Sequence, residues 1–124
     1  MIKMTIVDVI DRYCITFLKY SRVSSVEFEK ELSTLRQEFS NYFGRKRAKI
    51  WEFVNKLYDI HSELWDTEAS IRAAKEEDLG LEEVGRRALK VRDLNRERQR
   101  VKNEVIDYFN EGYKDCKVNY AGGN

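Results

Sequence analysis

From Ile6 onward apolar residues recur at steps of three and four: Ile6, Val9, Ile10, Tyr13, Cys14, Phe17 and Leu18. That is the period of a helix with one inward face, and Thr5 has a side chain able to cap its start. A second stripe, Phe28, Leu32, Leu35, Phe39 and Tyr42, follows Ser24 and Glu27, whose three-residue spacing has the form of a capping box, and Gly44 closes it. From Lys46 to Asp78 nothing breaks a helix. Ile50, Val54, Leu57, His61, Leu64, Glu68 and Ile71 fall on alternating four- and three-residue steps, with Trp51, Tyr58 and Trp65 beside them at heptad spacing. Such a helix is on the order of 50 Å long.

Leu79-Gly80 supplies a stop, Glu82 and Glu83 suit the next helix N-terminus, and Val84, Ala88, Val91, Leu94, Arg98, Val101, Val105 and Phe109 form a fourth stripe that runs to Gly112. Gly85 interrupts it at a cost of about 1 kcal/mol relative to alanine, which predicts a close helix contact or a kinked first turn. The pattern predicts an all-α protein, an antiparallel bundle of about four helices built on a long hairpin of helices 3 and 4. Residues 1–112 form a single helical domain and 113–124 a C-terminal tail.

Composition agrees. A chain of 124 residues supports one core, and 42% hydrophobic with 36% charged residues and no proline suits amphipathic helices. Lys plus Arg total 23 against 22 acidic residues, so no overall field steers the chain to nucleic acid or a membrane. With no apolar run of membrane-spanning length and no basic leader ahead of an apolar stretch, a cytoplasmic, unprocessed protein is expected. Cys14 on an apolar face and Cys116 in the tail then read as free thiols without metal-ligand spacing.

A length mismatch follows from the elements. Helices 1 and 2 are roughly half as long as 3 and 4, and the turn near Gly44 places helix 2 beside the first half of helix 3. The far end of the long hairpin, with Leu64, Trp65, Ile71, Leu79, Leu81, Val84, Ala88 and Val91, is left uncovered. A monomer rarely exposes that much apolar surface, so a second copy is expected there, giving a homodimer or a higher symmetric oligomer.

If the hairpin turns near Gly80, residues whose numbers sum to about 159 lie opposite one another. His61 then sits near Arg98, Trp65 and Asp66 near Asp93 and Leu94, Glu68 near Val91 and Arg92, and Arg72 near Arg87. Buried charge needs a partner, so Glu68 is expected with Arg72 and Arg92, and His61 with Arg98 and Asn95. The plain reading is that these pairs set helix register. The sharper one is an anion or phosphate site lined by Arg72, Arg92, Asn95, Arg98 and Lys102, with His61, Asp66 and Glu68 as polar partners.

Other chemistry is thin. His61 is the only histidine and no Glu-x-x-His motif accompanies it, so no metal and no cofactor are expected. Trp51, Tyr58 and Trp65 read as packing, with a stacking platform as the alternative. Carboxylate pairs such as hold magnesium in all-helical nucleotide pyrophosphohydrolases, Glu63 with Asp66 and Glu104 with Asp107, lie roughly 12 Å apart along the axis in this register. On helix 4, Arg92, Arg96 and Arg100 align as a phosphate-tracking ridge, but Asp93, Glu97 and Glu104 interleave, and a salt-bridged face is the simpler account.

Three segments, TIVDVIDRYCITFLK at the start, ELWDTEASIR over Glu63 to Arg72, and RRALKVRDLNRERQRVKNEV over Arg86 to Val105, together resemble a family of small helical bacterial and phage proteins. Some members are encoded near surface-polysaccharide glycosyltransferases. The family brings no established activity with it. The resemblance draws attention to Leu64, Trp65, Asp66, Glu68, Arg72, Arg92, Asn95, Arg98 and Lys102, which overlap the seam reached from periodicity. The leading expectation is a non-enzymatic helical interaction or assembly protein. A binding protein or enzyme for an anionic small molecule comes second, and a nucleic-acid binder using helix 4 third.

Overall fold

The computed structural model describes residues 4–111. Helices α1 (Ile6–Arg22), α2 (Val26–Phe39), α3 (Gly44–Glu76) and α4 (Leu81–Phe109) account for nearly all of them. The predicted tail and Cys116 lie outside the described residues. Among those described, no helix is long and apolar enough to cross a membrane.

Helices α3 and α4 form the predicted antiparallel hairpin in the predicted register. Lys56 Nζ stands 3.6 Å from Glu104, the Phe53 and Phe109 rings are 6.4 Å apart, and Arg87 donates to the Ser70 carbonyl at 2.7 Å. The turn between them is built on positive φ at Asp78 and Gly80, 54° and 94°. Gly80 suits that conformation because it has no Cβ.

Helix α1 fills the groove of this hairpin. It runs parallel to α3, with Tyr13 on Trp51 at 5.7 Å, Phe17 on Tyr58 at 5.5 Å and Arg22 bonded to Asp66 at 3.0 Å. It is antiparallel to α4, whose end returns to its start through Ile6 N–H donating to Glu111 Oε1. The core of Ile6, Ile10, Cys14, Leu57, Val101 and Val105 lies where the three helices meet.

Helix α2 does not lie along α3 as expected. It packs on the outer side of α1, where Glu31 accepts from Arg12 and from Thr16, and it meets α3 only at its end through Phe39 on Trp51. The reason is the narrowness of its buried face, Leu32, Leu35 and Phe39, against the broad one of α1. The wider apolar face takes the deeper groove because burial scales with area.

Boundaries shift by a residue or two. Ser25 rather than Ser24 caps α2, accepting from Glu27 N–H at 3.2 Å, and α3 begins at Gly44 rather than Lys46. Thr5 precedes α1, but its hydroxyl donates to Asp8 instead of accepting a backbone N–H. Helix α4 stops at Asn110 in the left-handed conformation, φ 53°, ahead of Gly112, which lies outside the described residues. Asn tolerates that region better than other non-glycine residues.

Candidate functional site

The hairpin seam holds the polar cluster that periodicity anticipated, but with a different centre. Asp11, on α1, is 7% exposed and joins the two residues expected to meet each other. Its Oδ1 is 2.8 Å from His61 Nε2. Arg98 closes on the same carboxylate with both edges of its fork, Nε to Oδ1 at 3.2 Å and Nη2 to Oδ2 at 2.6 Å. Burial alone would push the Asp11 carboxyl up, but the hydrogen bonds from His61 and Arg98, with the guanidinium charge, hold it well below the ordinary carboxylate range.

Asp11 was legible in principle. Val7, Asp11, Cys14 and Leu18 follow four-, three- and four-residue steps, so the inner face of α1 includes Asp11 and leaves Phe17, counted in the predicted stripe, at its edge. Phe17 is accordingly among the exposed large hydrophobics. An acidic residue flanked by a clean apolar pattern is easily assigned to solvent.

Above this cluster a cavity of about 190 Å³ opens between α1, α3 and α4. Ile15, Leu18, Leu64 and Trp65 give it apolar walls, and His61, Glu68, Asn95 and Arg98 give it polar ones. Four of the predicted seam residues are thus brought together. The other anion-site candidates do not line it. Arg72 is exposed on the bare stretch of α3, Arg92 turns to its neighbour Asp93 at 3.1 Å, and Lys102 is half-buried one turn beyond Arg98. Asp66 is taken by Arg22. The expected pairing of Glu68 with Arg72 and Arg92 does not form: all three are exposed, where an ion pair gains little over water, and Arg92 turns to Asp93, while His61 bonds Asp11 instead of Asn95 or Arg98.

A second cavity, about 290 Å³, lies between α1 and α3. It is lined by Tyr13, Phe17, Trp51 and Tyr58 over Cys14 and Val54. Trp51 and Tyr58 therefore share one aromatic cluster, while Trp65 belongs to the other cavity; a straight helix drifts about 20° per heptad, enough to part them. The Cys14 thiol donates to the Val54 carbonyl at 3.3 Å, and burial pushes its pKa upward, which makes it a poor nucleophile.

The far end of the hairpin is bare. Helix α1 ends level with Asp66, and α3 continues to Glu76, about 15 Å further. Thr67 and Ala74 are buried between the two helices there, and Arg87, held by Glu83 and Ser70, ties α4 to α3. Outside that seam Leu79 is 48% exposed, Leu89 51% and Leu81 91%. Of the predicted interface residues, Ala88 is also exposed and Trp65, Ile71, Val84 and Val91 are half-buried, while Leu64 belongs to the core of the chain itself. Space around Gly85 is open, so no close contact among the described residues requires it.

The basic ridge of α4 is largely engaged. Arg100 pairs with Glu97 and Glu104 and Arg92 with Asp93, which leaves Arg96 exposed and without an acidic partner among the described residues. Among the described residues no group of His, Cys, Asp or Glu is arranged to hold a metal ion. No family model matches the chain, and neither a curated protein nor a solved structure is significantly similar to it.

Proposed function

We propose that the protein is a non-enzymatic assembly protein whose chains pair as a homodimer through the bare end of the α3/α4 hairpin. The observation that carries this reading is the apolar surface of Leu79, Leu81 and Leu89 beyond the end of α1. As far as Asp66 the hairpin groove is filled by α1; from there to Glu76 no described residue outside the hairpin fills it. A second copy laid antiparallel would complete a four-helix arrangement there.

Charge supports a second copy as the occupant. The tip is acidic, with Glu76, Glu77 and Asp78 exposed, whereas Lys90 and Arg96 further down α4 are basic and exposed. None of these five has an ion-pair partner among the described residues, since the salt bridges of this region join Arg86 and Arg87 to Glu82 and Glu83. In a twofold antiparallel dimer the acidic tip of one chain lies along the basic stretch of the other, twice over.

The anion-binding reading has less behind it. Arg98 spends its fork on Asp11, and Glu68 adds a negative charge beside it. Sedimentation or light scattering tests the dimer: the expected mass is twice the chain's 14.8 kDa, and Leu81→Glu with Leu89→Glu should give a folded monomer. A wild-type monomer at concentrations well above micromolar would overturn the reading.

A further inference from the structure

His61 lines the cavity between α1, α3 and α4 and has one ring nitrogen, Nε2, on Asp11. Its ring is 7% exposed. Asp11, held ionised by Arg98, can only accept, so the hydrogen between the two groups sits on Nε2, and the ring in that tautomer carries its lone pair on Nδ1. Among the described residues no hydrogen bond reaches Nδ1, yet no fully buried side-chain nitrogen or oxygen there is left unpaired. Nδ1 therefore reaches open space, and the open space His61 lines is this cavity.

An acceptor fixed in one tautomer at the floor of a mostly apolar cavity selects for a donor. The charges select further. Asp11 and Arg98 pair with each other, and Glu68, exposed at the rim, has no ion-pair partner among the described residues, so the carboxylate on the cavity wall is free to meet a cation. Arg98 offers an incoming anion little, with Nε and Nη2 already on Asp11. Trp65 presents an indole beside Glu68, a favourable surface for a cation or a ring. The volume, about 190 Å³, exceeds the 150 Å³ or so that holds one benzene ring.

We propose that this cavity binds a small organic ammonium compound with a ring-sized apolar body. Its N–H donates to His61 Nδ1, Glu68 balances its charge, and the body lies on Leu64 and Trp65.

The sole histidine makes the test direct. Nitrogen NMR of full-length protein labelled at histidine, titrated with phenethylamine and separately with phenylacetate and inorganic phosphate, follows the Nδ1 signal apart from that of Nε2, which is bonded to Asp11. A saturable Nδ1 shift with phenethylamine, with Kd on the order of 1 mM or below, is expected, together with a rise in Tm. Glu68→Gln, an exposed change that leaves the core intact, should weaken the amine about tenfold. No shift up to about ten times that concentration, an equal or larger response to phenylacetate or phosphate, or undiminished amine binding by Glu68→Gln would each overturn the proposal.

Discussion

Asp11 is the residue on which the polar seam turns, because among the described residues it is the one acceptor that both His61 and Arg98 reach. Removing it leaves a guanidinium half inside the protein without its counter-charge. Breaking a fully buried pair costs about 3 to 5 kcal/mol, and the partial exposure of Arg98 puts Asp11→Asn near the lower figure, about 3 kcal/mol, measurable by urea denaturation at neutral pH. The pH dependence has a defined sign. The carboxyl is held below its ordinary value of 3.8 in the folded chain, so its contribution is complete above that value and is lost as pH falls below it. The stability gap between wild type and Asp11→Asn should therefore narrow from about pH 4 downward. A gap that stays constant to about pH 3 would contradict this account of the cluster.

Element by element, what is buried decides what each helix can tolerate. Periodicity placed α3 and α4 correctly because long stripes leave little freedom of register, and Lys56 with Glu104 lies where that register demands. It misjudged α2, since which of two short helices enters a groove depends on the relative width of their apolar faces. Gly85 belongs here too. It lies within α4 with open space where a Cβ would go, so Gly85→Ala should stabilise the isolated chain by about 1 kcal/mol. Thermal or urea unfolding of protein dilute enough to be monomeric checks it, and a destabilised variant would mean that something packs on that glycine.

For the molecule as a whole, the hairpin is longer than the helices that cover it, with an acidic tip at Glu76 to Asp78 and exposed basic residues further down α4, Lys90 on the bare end and Arg96 just below it. If two chains pair antiparallel there, reversing one level should break the pair and reversing both should restore it. Lys90→Glu with Arg96→Glu is expected to give monomers, and adding Glu76→Lys, Glu77→Lys and Asp78→Lys to the same chain is expected to bring the dimer back, as read by sedimentation. Raised salt should weaken the wild-type dimer while leaving its apolar contribution. A double reversal that stays monomeric while folded would remove the charge argument and leave only the leucines.

The sequence by itself determined the helices, the hairpin and the mismatch in their lengths, because these depend on period and on breakers a few residues apart. It also placed His61, Glu68, Asn95 and Arg98 on the seam. Only the tertiary structure decided that Asp11 stands between His61 and Arg98, that the same junction brings His61 to the wall of a cavity, and that α1 rather than α2 fills the groove. Those outcomes depend on the rotation of α1 about its own axis against two other helices. A shift of one residue turns a helical side chain by about 100°, and local pattern does not say which of the flanking polar residues is carried inward.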